Sequence, residues 1–218
     1  MQFSPVARER HSSPLAVLCV MLLSVVLTAC FSGPPPKLYL LEPLAEDPLA
    51  AVPLEISALG LAVVSLPGYI KDERVASRNN TGVVSLNDNH RWAESPDEAI
   101  TRVLADRLRF HAGSNVLIEP WPRGYDPMVR IEVTFDRLLR EPLGGVDMAG
   151  HIQLISGDGR SLIDILPFQF VYYGRGTEFP QYFAATSLAV NDIARMVAEA
   201  LFTEQLSLIH ISEPTRPY

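Results

Sequence analysis

A continuous apolar run near the N-terminus, Leu15 to Leu27, leads directly into the motif Leu27-Thr28-Ala29-Cys30. A short basic segment that includes Arg8 precedes the run. A basic segment, a short apolar stretch and small residues before a cleavage point are the parts of a secretory signal peptide. The cysteine matches the lipobox pattern, in which the thiol receives a diacylglyceryl group before the leader is cleaved. The sequence therefore predicts a bacterial lipoprotein, with a signal peptide over residues 1–29 and Cys30 as the lipidated N-terminus.

Two other interpretations of the apolar run fit less well. A transmembrane helix needs roughly 20 apolar residues to cross the hydrocarbon layer, and this run has 13. An unlipidated secreted protein makes no demand on residue 30, so the full lipobox would be a coincidence. Because each buried methylene contributes about 0.8 kcal/mol, two or more acyl chains hold a protein stably on a membrane. In enteric-type sorting, an aspartate directly after the lipidated cysteine favours retention in the inner membrane. Residue 31 is Phe31 rather than aspartate, so we expect the protein in the outer membrane.

The charge and the cysteine content of the chain restrict its possible partners and its possible disulfides. The formal net charge is −7 for the full chain, and it becomes one unit more negative once a leader with two arginines and Glu9 is removed. This balance argues against nucleic acid as the main partner. Of the two cysteines, Cys19 leaves with the leader and Cys30 carries lipid. We therefore expect no disulfide, although the periplasm would permit one.

The rest of the chain divides into a tether, a domain and a tail. Residues 30–37 contain Pro34-Pro35-Pro36, a composition that favours extended chain of about 3.1 Å per residue and hence a stiff tether of roughly 20 Å. Residues 38–206 are long enough for one domain with a full hydrophobic core. Residues 207–218 resemble the translation of a transposon-derived sequencing adapter, so we expect them to be foreign to the domain.

Apolar patterning predicts an α+β domain. Residues 54–66 are almost continuously apolar after Ser57 and predict a buried central strand. The strongest helix signal covers residues 96–111, where Ser95 and Glu98 form the pattern of a capping box and Gly113 supplies a stop. Shorter strands are predicted at residues 38–41, 75–78, 83–86 and 115–119.

The C-terminal half predicts further strands and a second helix. From residue 129 to 136 apolar and polar residues alternate, as in a strand with one buried face. Residues 146–155 and 162–173 flank a glycine-containing turn and predict a hairpin. Apolar residues recur at helical spacing over residues 182–205. The expected fold is one α+β domain, with a mixed, largely antiparallel sheet packed with two main helices.

No motif specifies an enzyme, a metal site or a cofactor. The Gly-x-Ser-x-Gly stretch of a nucleophile elbow is absent from the sequence. Within the predicted domain, His90, His111 and His151 have neither metal-ligand spacing nor a thiolate partner and are best interpreted as surface or core histidines. We therefore expect a protein without catalytic residues, without a metal and without a cofactor other than the lipid on Cys30.

Five short motifs occur in order along the predicted domain. They are Leu38-Tyr39-Leu40-Leu41, Ser65-Leu66-Pro67-Gly68-Tyr69-Ile70, Arg91-Trp92-Ala93-Glu94, Pro120-Trp121 and Phe135-Asp136. Their order, over about residues 30 to 206, resembles that of the PqiC (YmbA-like) family of ABC-type transport auxiliary lipoproteins. One departure is that Ser95-Pro96-Asp97 stands here where the family commonly continues with Pro-Leu.

The resemblance implies an outer-membrane lipoprotein on the periplasmic face that serves membrane integrity. In that family the protein is thought to dock on a periplasmic tunnel formed by an MCE-domain protein, as a homo-oligomeric ring, within a system that moves lipid between the two membranes. Exposed aromatic and arginine side chains are favoured anchors at interfaces, so Tyr69, Arg91 and Trp92 are the candidate partner-binding residues. Core packing is the competing interpretation for Trp92 and Trp121.

Two other functions remain open at the level of sequence. A lipid-anchored periplasmic solute- or lipid-binding protein would need a pocket, which a sequence cannot reveal. A lipoprotein hydrolase would need a nucleophile and a base within reach of each other. The first of these is the main alternative.

Overall fold

The computed structural model describes residues 34–44, 56, 58–173 and 176–212, with side chains described as far as Thr203. The predicted signal peptide, Cys30 and the first part of the tether lie outside these residues, as does most of the apolar stretch before Ala58. The described residues from Pro36 onward form one compact unit. In the described part of the chain, no helix combines the length and the hydropathy that a membrane span requires.

Eight strands, two α-helices and one short 3-10 turn make up the described domain. The strands are β1 Lys37–Tyr39, β2 Ala58–Leu61, β3 Arg74–Arg78, β4 Val84–Trp92, β5 Asn115–Ile118, β6 Val129–Arg140, β7 Val146–Ser156 and β8 Leu162–Tyr172. The helices are α1 Pro96–Ala112 and α2 Phe179–Ser212, and the 3-10 turn is Gly68–Ile70. The predicted α+β fold with two main helices is confirmed.

One mixed sheet contains all eight strands, and β6 is at its centre. One edge of β6 pairs antiparallel with β7, which pairs antiparallel with β8. The other edge of β6 pairs in parallel with β2, and near its end with β3 at Ser77 and Arg140. Beyond β2 lies β5, whereas β3 continues to β4 and β1. The predicted hairpin of β7 and β8 and the interior position of β2 are confirmed.

The alternating pattern of β6 sets the two faces of the sheet. Val129, Ile131, Val133 and Phe135 are buried, and the residues between them are partly exposed. Both helices pack on the buried face, where α1 contributes Ile100 to one continuous core. Because an antiparallel sheet can leave one face to solvent, the opposite face of β6 to β8 is available for other contacts.

Both ends of α1 lie where the sequence predicts them, but only the C-terminal cap forms as predicted. Gly113 adopts a left-handed conformation with φ of 63° and donates its backbone N–H to the carbonyl oxygen of Arg109, as a glycine C-cap does. The predicted capping box does not form, because the hydroxyl of Ser95 donates to the carboxylate of Asp97 and accepts no backbone N–H of the helix. Pro96 supplies the preset φ of a first helical position.

Buried polar contacts hold α1 against its neighbours. His111 Nε2 and Asn191 Oδ1 are 2.9 Å apart, and both residues are buried. This hydrogen bond joins the last turn of α1 to the middle of α2. On the other side of α1, the hydroxyl of Thr101 accepts the backbone N–H of Val64 at 3.0 Å. These contacts fix the helix position more specifically than apolar packing alone would.

Candidate interaction surface

Trp92, one of the three predicted partner-binding residues, belongs to the core. Only 2% of its surface is exposed. Its ring makes edge-on contacts with Tyr182 and Phe183, with centroids 6.1 and 4.9 Å away. The expectation that Trp92 is an exposed interface anchor is therefore wrong, and the competing interpretation as a core aromatic holds.

The other two predicted residues retain accessible surface. Arg91 is half-buried on β4, and its Nε donates to the carbonyl oxygen of Asp88 at 3.3 Å. Tyr69 is half-buried in the 3-10 turn, and its hydroxyl accepts the backbone N–H of Leu138 at 3.4 Å. Burial raises the pKa of Tyr182, and the nearby Tyr69 hydroxyl adds to the rise. Tyr69 and Trp92 thus both lie around Tyr182, whereas the Arg91 side chain lies on β4 beside β1.

Two of the motifs that carry the family resemblance, residues 38–41 and 91–94, meet at the first strand. Lys37, Leu38 and Tyr39 pair with the last three residues of β4. The backbone N–H of Ala93 donates to the carbonyl oxygen of Tyr39 at 2.8 Å. Leu41, just beyond β1, is completely buried. The segment that follows the tether is therefore built into the domain.

Two further hydrogen bonds secure this segment from the helices. Arg102 Nη2 donates to the carbonyl oxygen of Leu41 at 2.9 Å, and the same guanidinium forms an ion pair with Glu94. The hydroxyl of Ser187 donates to the carbonyl oxygen of Glu42 at 2.5 Å. Residues 38–42 are therefore held in place by α1, α2 and β4.

An aromatic stack lies beside the same segment. The rings of His90 and Phe179 are stacked with centroids 3.7 Å apart and an interplanar angle of 5°. Tyr39 is hydrogen-bonded through its hydroxyl to His90 Nδ1 at 2.8 Å, and the Arg140 guanidinium lies 4.4 Å from the Phe179 centroid. Burial lowers the pKa of His90, and the charges of Lys37 and Arg140 lower it further. The stack favours a neutral His90.

A groove of about 470 Å³ runs between residues 38–44 and the first turns of α2. Leu38 and Leu40 form one wall, and Pro180 and Ala184 belong to the other. All four side chains are exposed to solvent. The groove is therefore open, unlike the enclosed cavities that bury most of a small ligand.

The most apolar exposed part of the sheet lies on β8. Ile163, Ile165 and Val171 are 36%, 46% and 44% exposed. They alternate with Phe168, which is buried on the helix side, so they project from the uncovered face. We call these three residues the β8 strip. Sequence patterning identifies β8 as a strand, but it does not reveal which of its faces lacks a covering helix.

The strand that carries this strip is also at the edge of the sheet. Among the described strands, β8 pairs with β7 only. An edge strand with exposed apolar side chains is a common site for contact with another chain. Pro167 lies at the middle of β8 and lacks a backbone N–H, which limits continuous strand addition along this edge.

The described side chains do not assemble a metal site. Within the described residues, no group of three or more His, Cys, Asp and Glu side chains is placed to hold a metal ion. The histidines with described contacts are held in hydrogen bonds and ring stacks, as His90 and His111 show.

Comparison with known proteins identifies the family of this chain. The family model for the ABC-type transport auxiliary lipoprotein component matches residues 39–198. No curated protein sequence matches the chain. The structure of protein XCC0632 from Xanthomonas campestris, of the DUF330 family, has a TM-score of 0.63 at 13% identity, covering 78% of this chain and 98% of that one.

A second solved structure shows the same fold. This uncharacterized protein has a TM-score of 0.62 at 17% identity, with 76% of this chain and 97% of that chain covered. At these identities the structural likeness establishes the fold alone. The family match spans most of the described domain, and it confirms the PqiC-like resemblance of the motifs. This chain belongs to the family of ABC-type transport auxiliary lipoprotein components.

Proposed function

We propose that this protein is an outer-membrane lipoprotein, exposed to the periplasm, that serves an MCE-type lipid transport system by binding protein partners. Family membership makes it an auxiliary component of ABC-type transport. The proposal adds that identical subunits form a ring and that the ring docks on the tunnel of an MCE-domain protein. It assigns no catalytic role and no cofactor to the chain.

The β8 strip is the observation that carries this proposal. It places three large apolar side chains on the uncovered face of an edge strand. Apolar side chains exposed on an edge strand are a common site for contact with another chain. A ring of identical subunits needs two different complementary surfaces on each subunit. We assign the β8 strip to one of them.

The short tether supports a requirement for a partner. Residues 30–37 reach roughly 20 Å when extended, which is too short for one domain to carry lipid across the periplasm. A bridging protein must therefore supply the path between the membranes. Arg91 and Tyr69, which retain accessible surface, remain the candidate residues for binding that partner.

A lipid-anchored solute- or lipid-binding protein is the second candidate function. The observation in its favour is the groove beside β1, which exposes Leu38 and Leu40 next to Pro180. Its open walls bury little of a small ligand. A bound lipid or solute found by native mass spectrometry would favour this alternative.

The assembly experiment compares the purified mature lipoprotein with two lysine variants, using mass measurement in detergent and capture by the cognate MCE-domain protein. Ile165→Lys introduces a charge in the β8 strip. Val63→Lys is the matched control, because Val63 is also 46% exposed but lies outside β8. We expect wild type and Val63→Lys to form a uniform oligomer that captures the MCE protein, and Ile165→Lys to dissociate. A wild-type protein that stays monomeric at high concentration and captures nothing would overturn the proposal.

Lipidation is tested separately. Cells expressing the chain are supplied with labelled palmitate, and the label is followed in wild type and in Cys30→Ser. We expect label in wild type only, in the outer-membrane fraction. Label retained by Cys30→Ser would contradict the assignment of Cys30.

A further inference from the structure

Three large apolar side chains project from one end of the sheet. Val83, Leu143 and Tyr173 are 58%, 63% and 70% exposed. Val83 closes the turn between β3 and β4, Leu143 is in the turn between β6 and β7, and Tyr173 follows β8. We call residues 79–83, residues 141–145 and Tyr173 together the loop end.

The side chains of the loop end lie close together. A groove of about 460 Å³ has Asn79 and Gly82 on one side and Leu143 and Tyr173 on the other. Arg78 joins the two sides, with Nη2 at 2.5 Å from Glu141 Oε1 and 2.8 Å from Asp147 Oδ2. Leu143 and Tyr173 therefore lie beside polar groups among which the Arg78 guanidinium is already ion-paired.

The turn that exposes Leu143 is fixed by the backbone. The N–H of Gly144 donates to the carbonyl oxygen of Glu141 at 2.9 Å, and the N–H of Glu141 donates to that of Gly145 at 3.0 Å. Gly144 has φ of 85°, and a Cβ there would lie 1.9 Å from the carbonyl oxygen of Gly176. Because only glycine fits this close approach, the turn is packed against the chain after β8. Leu143 is thus presented to solvent on a structured turn.

β1 begins on the side of the sheet where the loop end lies. β4 begins at Val84, beside the loop end, and runs away from it toward Trp92. β1 is parallel to β4, with Lys37 opposite His90, so the first residue of β1 is the end of that strand nearer the loop end. Contacts of His90 with Phe179, and of Phe179 with Arg140, connect the start of β1 to the last residue of β6.

We propose that the loop end rests on the lipid surface to which Cys30 anchors the chain, with Leu143 and Tyr173 in the interfacial layer. The inference rests on the lipidation of Cys30 in the proposed function. The chain from Cys30 to Lys37 spans roughly 20 Å in an extended Pro-rich conformation, so the end of the sheet at which β1 begins must stay close to the membrane.

The chemistry of the loop end suits a lipid interface. Aliphatic side chains and a tyrosine, which has an apolar ring and a polar hydroxyl, are favoured at the boundary between headgroups and acyl chains. Asn79, Asn80 and Thr81 supply polar groups at the same level. The β8 strip lies on the flat face of the sheet and is left for protein partners. The proposal therefore assigns the loop end to the lipid surface and the β8 strip to protein partners.

The test places an environment-sensitive maleimide fluorophore at single introduced cysteines in the full mature lipoprotein, reconstituted in phosphatidylethanolamine and phosphatidylglycerol vesicles. The positions are Leu143→Cys and Tyr173→Cys, with Arg160→Cys as control. Arg160 lies in the exposed turn at the other end of β7, about 35 Å away along an 11-residue strand. The sulfur of a lipidated Cys30 is a thioether and does not react with maleimide.

We expect labels at positions 143 and 173 to shift their emission to shorter wavelength and to be quenched by nitroxide-labelled lipid. The label at position 160 should show neither effect. If the protein floats with vesicles but the labels at 143 and 173 behave like the label at 160, this inference fails while lipidation stands. If the protein does not float, lipidation fails and the inference fails with it.

Discussion

Arg102 of α1 donates from Nη2 to the backbone carbonyl oxygen of Leu41, 2.9 Å away, and so ties a helix to the segment that follows the lipid tether. The same side chain forms an ion pair with Glu94, which belongs to the Arg-Trp-Ala-Glu motif. One guanidinium therefore connects three parts of the chain. An arginine can make these contacts at once because its donors have a fixed, forked geometry.

We predict that Arg102→Lys lowers the free energy of unfolding by about 1 kcal/mol, the usual value for a lost hydrogen bond. A lysine cannot serve the Leu41 carbonyl oxygen and the Glu94 carboxylate in the same geometry. Urea denaturation measures the change, and Arg160→Lys, at a largely exposed side chain, is the control. Equal stability of the two variants would show that the contact to Leu41 contributes nothing.

A second prediction concerns the approach of Trp121 to Gly60 in β2. A Cβ at Gly60 would lie 2.4 Å from Trp121 Cζ2 and 3.0 Å from Pro127 Cγ, and Trp121 Nε1 donates to the carbonyl oxygen of Leu117 at 3.2 Å. We expect Gly60→Ala to destabilise the domain by about 1–3 kcal/mol, as overpacking does. In a Trp121→Leu background the same substitution should cost clearly less. Equal costs in both backgrounds, measured by a double-mutant cycle, would exclude a clash with Trp121 as the cause.

Local patterns of sequence were sufficient to predict most elements of the fold. The alternation from Val129 to Phe135 identified both the strand and its buried face. Gly113 marked the end of α1 within one residue of the prediction. In these places the signal comes from neighbouring residues, so tertiary contacts were not needed to interpret it.

Strand β4 was predicted too short because its second half is polar. Asn87, Asp88 and Asn89 have low strand propensity. The strand continues because β1 pairs with its last residues and β3 pairs with its first ones. Those partners are distant in sequence, and no local pattern reports them.

The candidate interaction surface also depends on residues that are distant in sequence and that local patterns do not indicate. Trp92 is buried because Tyr182 and Phe183 of α2 cover it, about 90 residues further along the chain. The β8 strip is a surface because both helices lie on the other face of the sheet. The burial of Trp92 and the exposure of the β8 strip both depend on how the strands and helices are arranged in space. The sequence predicted the fold class but not this arrangement.

A third prediction concerns the C-terminal residues. Helix α2 extends to Ser212, so the helical backbone continues beyond residue 207, where the sequence suggested that the pattern breaks. Among the described side chains, the last buried one in α2 is Leu201, and Phe202 and Thr203 are exposed. We expect deletion of residues 207–218 to change the free energy of unfolding by less than about 1 kcal/mol, as for changes away from the core. A larger loss in thermal or urea denaturation would show that the tail is part of the fold.

The last prediction is a pH dependence that originates at His90. Burial and the charges of Lys37 and Arg140 lower its pKa below the ordinary value of 6.5, while Glu178 acts in the opposite direction. At pH values above 6.5 the ring is neutral in both the folded and the unfolded chain. As the pH falls below that value, the unfolded chain binds a proton more readily than the folded one, so the free energy of unfolding decreases until the lowered pKa is passed.

We therefore expect His90→Gln to be less sensitive to acid than wild type between pH 6.5 and the lowered pKa of the folded protein, when the free energy of unfolding is measured by urea denaturation at a series of pH values. Lys37→Met should reduce the pH dependence in part, because it removes one of the charges that oppose protonation of His90. The carboxylate of Asp72, whose pKa Arg74 lowers to about 2, does not titrate in this range. An unchanged pH dependence in His90→Gln would show that the ring stacked on Phe179 is not the group that titrates.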